Sequence, residues 1–165
     1  GAGDGGNLFL FKRLGFKWEN MYANELLPFR MEVLKENYPA IHSLSGDALQ
    51  IEEEWNASFD IVLQALVFTS ILDGEFKQRL ADKLWKLLKP EGFLLWYDFS
   101  YDNPNNKDVK GIRKAEIRNL FPEAKNINFY KTTLAPPIGR RAKKFYPFFN
   151  IFPFLRTHLI GIIEK

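Results

Sequence analysis

The residues best suited to chemistry stand at the front of the chain. Gly1, Gly3, Gly5 and Gly6 crowd into GAGDGG, and an apolar run from Leu8 to Leu14 follows. A glycine turn that feeds a helix lets backbone approach a ligand closely and reach positive φ. The helix N–H groups behind it suit an anionic group. A flexible leader reads the same way, so the downstream residues must decide. Gly1, Gly3 and Gly6 satisfy G-x-G-x-x-G, the dinucleotide pattern, in which an acid about 20 residues on takes the ribose hydroxyls. Gly1, Gly3 and Gly5 satisfy G-x-G-x-G, a pattern of S-adenosylmethionine sites. Glu25 stands at the required distance and serves either reading.

Other chemistries are excluded or weakened by composition. The chain has no cysteine, so it has no disulfide, thiol nucleophile or Cys-based zinc site. Its two histidines, His42 and His158, are far apart, which argues against a histidine-rich metal site. The net charge is +3, too weak for a dedicated nucleic-acid face, and the basic residues cluster in one segment, 139–156. With 46% hydrophobic and 26% charged residues the chain can bury a core. No run approaches the roughly 18 apolar residues of a membrane span, and no signal-peptide pattern is visible, so a cytoplasmic protein is expected.

The elements that must position these residues alternate along the chain. Residues 5–14 read as a helix stopped by Gly15, and KWENMYANEL as a short strand ending near Glu25. LPFRMEVLKENYP reads as a helix with Leu27, Met31, Val33 and Leu34 on its apolar side. A strand at 41–45 runs into a turn at Gly46-Asp47. FDIVLQALVF is apolar enough for a parallel strand covered on both faces. EFKQRLADKLWKLLKPEG repeats Phe76, Leu80, Leu84, Leu87 and Leu88 at helical spacing and ends at Pro90 and Gly92. FLLWYDF is a strand, SYDNPNNKDVKG a loop, RKAEIRNLF a short helix, and INFYKTTLA a strand broken by APPIG. THLIGIIEK closes the chain as a strand. The expected fold is α/β: a Rossmann-like, mostly parallel sheet with helices on both faces. A final antiparallel strand pairs at its edge, with a long insertion at the hairpin tip.

GAGDGG, NELLPFRMEVLKENYP, SGDAL, FDIVLQALVF and LKPEGFLLWYDF, in this order and spacing, resemble the class I S-adenosylmethionine-dependent methyltransferases. The resemblance covers most of residues 1–134. It implies S-adenosylmethionine as cofactor and S-adenosylhomocysteine as product. The loop residues Gly1, Ala2, Gly3, Gly5 and Asn7 would face the cofactor's methionine part. Glu25, with Leu26, would hold the ribose. Asp47, between Gly46 and Ala48, would sit near the adenine amine, and Gln64 and Ala65 would line the site. Read without the family, Glu25 is also a solvated strand end, and Asp47 a turn former or helix cap. The family more often has Gly where Glu91 stands. WYDFSYDNP, EIRNLFP, TLAPP and LRTHL resemble a bacterial subgroup often found beside genes for glycan assembly, which points to a small-molecule or glycan acceptor, including a lipid-linked one.

Methyl transfer from a sulfonium asks mainly for in-line alignment, and a hydroxyl acceptor benefits from a base. The expected topology brings the end of FLLWYDF and the start of the last strand to one edge. His158 is the best single base candidate there, with Asp98 and Tyr101 as alternatives. Gln64-Ala65-Leu66-Val67 does not match the adenine-methylase tetrapeptide, which disfavours DNA. Two other readings compete: a nicotinamide-dependent reductase, which the glycine loop alone permits, and a non-catalytic membrane-associated binding module. Residues 135–156 read as a lid-like insertion. Phe145, Phe148, Phe149 and Phe152 would pack on the domain, shape an acceptor pocket, or meet a membrane with Arg140, Arg141, Lys143 and Lys144. The whole chain is expected to be one domain, with 1–134 as cofactor core and 157–165 as final strand. The glycine loop of this fold follows a central strand. None precedes Gly1, so an upstream strand and helix are expected to come before it.

Overall fold

The computed structural model describes residues 1–104 and 106–165, and the side chains of all of these but 136–138; Asn105, in the expected loop, lies outside the described residues. The chain divides into two compact units, residues 1–54 and 55–165.

The first unit holds α1 (Leu8–Arg13), β1 (Tyr22–Glu25), α2 (Pro28–Asn37) and β2 (His42–Ser45). β1 and β2 pair in parallel, Tyr22 opposite His42 through Glu25 opposite Ser45. Side chains alternate across a strand, so Met21, Ala23 and Glu25 share the buried side. Glu25 is thus the polar end of an apolar row. Leu8, Met21, Ala23, Met31 and Leu34 form the core, with Phe11, Trp18, Tyr38 and Ile41 packed on it. α1 is shorter than expected because Gly5–Asn7 form a turn before it. In α2, Met31 and Leu34 are buried but Leu27 and Val33 are exposed. Leu27 is the extended N-cap, and Val33 lies about 200° round the helix from Met31.

The second unit is a four-stranded sheet in the order β3-β4-β6-β5: β3 (Phe59–Ala65), β4 (Leu88–Phe99), β5 (Asn126–Leu134) and β6 (Arg156–Glu164). β3 and β4 are parallel. β6 runs antiparallel to both its neighbours, β4 and β5, which gives the expected hairpin of β5 with β6. β3 is half-buried along most of its length, not covered on both faces as its apolar run implied. Its one hydrogen-bonded neighbour among the described residues is β4, which leaves it at the sheet edge.

α3 (Gly74–Leu87) begins at Asp73, whose carboxylate accepts the Phe76 N–H at 2.7 Å. It buries Leu80, Ala81, Leu84 and Leu87. Lys77 in α3 reaches Glu116 in α4 (Lys114–Leu120) at 2.8 Å. Leu94, Trp96 and Asp98 alternate on one face of β4, buried with Leu159 and Ile163 of β6. Gly161 leaves room there: a Cβ would lie 3.1 Å from Trp96 and 3.3 Å from Phe129. Tyr97 and Phe99 lie on the other face, level with His158.

APPIG does not simply break the chain. The backbone turns into α5 (Pro136–Ala142), since proline fits a first helical turn, and α6 (Tyr146–Phe149) follows. The hairpin tip is tied down by Arg156, which donates to the Asn150 carbonyl at 2.8 Å and the Lys131 carbonyl at 3.1 Å. The Tyr146 hydroxyl accepts from the Leu134 N–H. Of the four rings expected to pack on the domain, Phe145 and Phe148 do not, and Phe149 is half-buried. Phe145 is 58% exposed, Phe148 57% and Phe154 73%. The rings touch one another instead, Phe148 to Phe149 and to Phe152, and Phe152 to Phe154.

Candidate functional site

The first unit draws its predicted residues into one cluster. The Gly3 N–H donates to Glu25 Oε2 at 2.7 Å, and the Leu27 N–H to Oε1 at 3.0 Å. The Ala2 N–H donates to the Asn24 carbonyl at 2.7 Å, and the Gly46 N–H to the Glu25 carbonyl at 2.9 Å. Burial works to raise the Glu25 pKa, but the N–H donors at Leu27 and Gly3, together with nearby positive charge that includes Arg30, hold the carboxyl below its ordinary range. Each carboxylate oxygen keeps a second acceptor site. A buried, ionised acceptor with capacity to spare stands at the carboxyl end of β1.

The glycines divide by role. Gly3 and Gly5 have φ of 60° and 89°, in the left-handed region. Gly5 also has no room: a Cβ would lie 2.5 Å from the Tyr38 ring. Gly6 has an ordinary φ and nothing nearer than the Asp4 carboxylate at 3.8 Å. The backbone therefore needs the last glycine of G-x-G-x-G, Gly5, and not the last of G-x-G-x-x-G, Gly6. The Leu8 N–H is taken by the Gly5 carbonyl at 2.9 Å, so the helix offers less free N–H to a ligand than the sequence implied. Asn7 is exposed and its side chain makes no cap bond. Leu26 is exposed beside Glu25. At the end of β2, Gly46 has φ 102°. Asp47 caps the turn at Ala48 by accepting the Leu49 N–H at 2.9 Å. The cap reading of Asp47 is thus realised by one oxygen.

Sequence reading missed Asn24. Its side-chain amide donates to the Leu44 and Gly46 carbonyls, each at 3.0 Å, and locks the ends of β1 and β2 together. An Asn beside an acid at a strand end was the available signal.

In the second unit, Gln64 is buried beside Asp98, where its side chain acts to lower the Asp98 pKa, and Ala65 ends β3 half-buried. Leu66 follows with φ 58°, a strained position at the carboxyl end of the strand. Asp98 is buried. Its Oδ1 accepts the Thr69 hydroxyl at 2.5 Å, and its Oδ2 the Thr69 N–H at 3.3 Å. Desolvation raises its pKa, and the Thr69 bonds only partly offset this. Thr69 was not legible as its partner, since 29 residues separate them. His158 is on the opposite face of the sheet. Its ring stacks on Tyr97 at 5.3 Å, and Nδ1 lies 3.2 Å from the Thr157 hydroxyl. Burial lowers its pKa. Tyr97 also meets the Thr133 hydroxyl at 3.0 Å, where Thr133 has φ 52°, an uncommon state for a β-branched residue. Asp98 and His158 therefore do not meet. Tyr101 is exposed in the loop after β4, its hydroxyl 3.3 Å from Lys131 Nζ. Among the described residues no cluster of His, Asp and Glu could hold a metal ion.

These units, with parallel strands, flanking helices and a ligand-ready glycine turn, define a Rossmann-like α/β protein. Solved structures agree. A methyltransferase from Archaeoglobus fulgidus, described as SAM-dependent, is 12% identical with a TM-score of 0.71, over all of this chain and 83% of that one. A possible histamine N-methyltransferase from Thermotoga maritima is 13% identical with a TM-score of 0.69, over 100% and 79%. The Burkholderia thailandensis 1,6-didemethyltoxoflavin N1-methyltransferase, solved with S-adenosylhomocysteine, is 17% identical with a TM-score of 0.68, over 100% and 68%. No curated protein matches the sequence. The family model for the methyltransferase domain matches residues 1–96, more than half the chain. The chain belongs to that methyltransferase family.

Proposed function

We propose that the protein transfers the methyl group of S-adenosylmethionine to a small-molecule or glycan acceptor and releases S-adenosylhomocysteine. The observation that carries this reading is the clasp of Gly3 and Leu27 on Glu25, beside a Gly5 that has no room for a side chain. In this reading Gly1, Ala2, Gly3, Gly5 and Asn7 face the methionine part, Glu25 and Leu26 the ribose, and Gly46, Asp47 and Ala48 the adenine. The free lone pairs of Glu25 take the ribose hydroxyls without disturbing its backbone donors. Gln64 and Ala65 line the cofactor site in the same reading. The nicotinamide alternative is disfavoured by Gly6, which does not fill the close-packed place the dinucleotide pattern gives it.

His158 is the proposed base. A lowered pKa keeps its imidazole neutral, and so able to accept a proton, near neutral pH. Tyr101 is positioned by Lys131 at the acceptor edge. Asp98, on the same face as Leu159, serves as an anchor for the turn at Thr69 rather than a proton acceptor. A second element of the reading concerns residues 139–156. Exposed Phe145, Phe148 and Phe154 beside exposed Arg140, Arg141, Lys143 and Lys144 favour peripheral contact with a membrane carrying a lipid-linked acceptor. Among the described residues no helix is long and apolar enough to cross a membrane.

Isothermal titration with S-adenosylhomocysteine tests the cofactor reading. Binding is expected for the parent chain and for Gly6→Ala. It should fall by at least about tenfold for Glu25→Ala, the cost of losing charge-assisted hydrogen bonds, and for Gly5→Ala. Parent-like affinity in Glu25→Ala would remove its assigned role, and NADH binding in place of S-adenosylhomocysteine would overturn the reading.

A further inference from the structure

A second recess opens where β4 ends. Ser100, Tyr101, Asp102, Arg113, Lys114, Lys131 and Leu159 line a pocket of about 270 Å³. Three cations face one carboxylate, an excess of positive charge that the pocket's own residues do not balance. Ion pairs do not balance it either. The described salt bridges are Lys77 with Glu116 and Lys89 with Asp60, and neither involves a pocket residue. Lys131 Nζ rests 5.6 Å over the Tyr101 ring and 3.3 Å from its hydroxyl, and Lys114 Nζ sits 5.5 Å over Phe129. The ammonium groups are thus held by aromatic faces, which leave their N–H donors in demand of an anion.

The floor of the pocket is built, not incidental. Ser100 donates to the Thr157 carbonyl from both its N–H, at 2.8 Å, and its hydroxyl, at 3.0 Å. The Ile112 N–H donates to the Phe99 carbonyl at 3.0 Å, and the Lys110 N–H to the Thr69 carbonyl at 2.8 Å. One oxygen of Asp102 accepts the Gly111 N–H at 2.9 Å. Gly111 itself passes so close to Tyr101 that a Cβ would lie 2.5 Å from its carbonyl carbon. These contacts fix the Tyr101-Asp102 corner against the start of α4. The corner lies at the carboxyl end of the parallel pair β3–β4, the edge where such sheets take ligands.

We propose that this pocket seats a phosphate group of the acceptor, so that the acceptor is a phosphate monoester such as a sugar phosphate. Arg113 provides a planar fork for two oxygens, Lys114 and Lys131 provide point charges, and the Tyr101 hydroxyl donates to a third oxygen. The dianion matches the charge excess of the lining. The assignment rests on the methyltransferase reading for the word acceptor, but phosphate binding can be measured without turnover.

The probe is glucose 1-phosphate, titrated into the whole chain by calorimetry with glucose as control, and thermal melts confirm that each variant is folded. Glucose 1-phosphate should bind and glucose should not. Arg113→Gln and Lys131→Met should each weaken binding about tenfold, the value of a charge-assisted hydrogen bond, while Arg79→Gln on the exposed side of α3 leaves it unchanged. Absent binding by the folded parent overturns the proposal, as does equal weakening in Arg79→Gln, which would mark diffuse charge attraction. Vesicles carrying phosphatidic acid form the second arm. With the tip's own attraction removed by Lys143→Glu and Lys144→Glu, vesicle binding that Lys131→Met abolishes places the same phosphate on a lipid, and its absence beside intact glucose 1-phosphate binding places it on a soluble ester. S-adenosylhomocysteine is titrated in parallel. Its binding without glucose 1-phosphate binding sinks the pocket alone; the reverse sinks the cofactor reading and leaves the pocket standing.

Discussion

Asp98 and His158 are both withdrawn from water, and their titrations act on stability with opposite sign. Burial raises the Asp98 pKa, so between its ordinary value of about 3.9 and the raised value the folded state binds more protons than the unfolded one. Stability from this residue therefore falls as pH rises through that window and is flat above it. Burial lowers the His158 pKa. Between the lowered value and about 6.5 the unfolded state binds more protons, so stability is lost as pH falls through that window. Urea denaturation followed by tryptophan fluorescence from about pH 4 to 8 should separate the two. Asp98→Asn should remove the decline on the low side, and His158→Gln should remove the loss on acidification below about 6.5. A His158→Gln variant that keeps the parent's slope would mean that the ring is not held neutral in the fold, and its role as base would go with it.

At the scale of elements, the start of β4, where its register with β3 shifts, carries a residue that the backbone does not favour. Glu91 has φ 66°, in the region that glycine enters freely. A non-glycine residue in that region costs about 1–3 kcal/mol, while glycine costs about 0.5–1 kcal/mol of chain entropy on folding. Glu91→Gly should therefore stabilise the second unit by about 1 kcal/mol and raise Tm by about 2–4 °C. A lower Tm in differential scanning would show that the Glu91 side chain supports the start of the strand. The elements themselves were legible where one signal repeats. α3 shows leucines at helical spacing, and β4 and β6 show apolar runs of strand length. The departures have local causes. Two prolines at 136–137 read as a break, yet they open α5 because a first turn needs no N–H. Glu25 and the glycines could be singled out because a motif fixes their separation, and Gly3 does meet Glu25 across 22 residues. No motif pairs Asn24 or Thr69 with partners 20 or more residues away, and the Arg113–Lys131 pocket is a cavity that only the folded sheet creates.

At the scale of the whole molecule, the proposed membrane contact rests on the hairpin tip. Its rings meet edge to face or tilted, and Phe145, Phe148 and Phe154 stay in water, which is unfavourable for a free surface and favourable for one that meets an apolar phase. The four neighbouring cations select an anionic phase, each contributing about 1 kcal/mol near a charged leaflet. Co-sedimentation should therefore show binding to vesicles rich in phosphatidylserine, little to phosphatidylcholine, and a loss with added salt. Phe148→Ser with Phe154→Ser should abolish the apolar part and leave a weak, salt-sensitive remainder. Lys143→Glu with Lys144→Glu should reduce affinity by at least about tenfold, because two attractive charges become repulsive. The same chain in analytical ultracentrifugation separates the other occupant of such a face. A concentration-dependent dimer that Phe148→Ser dissolves, together with indifference to anionic vesicles, would make the rings a contact between copies and would end the membrane reading.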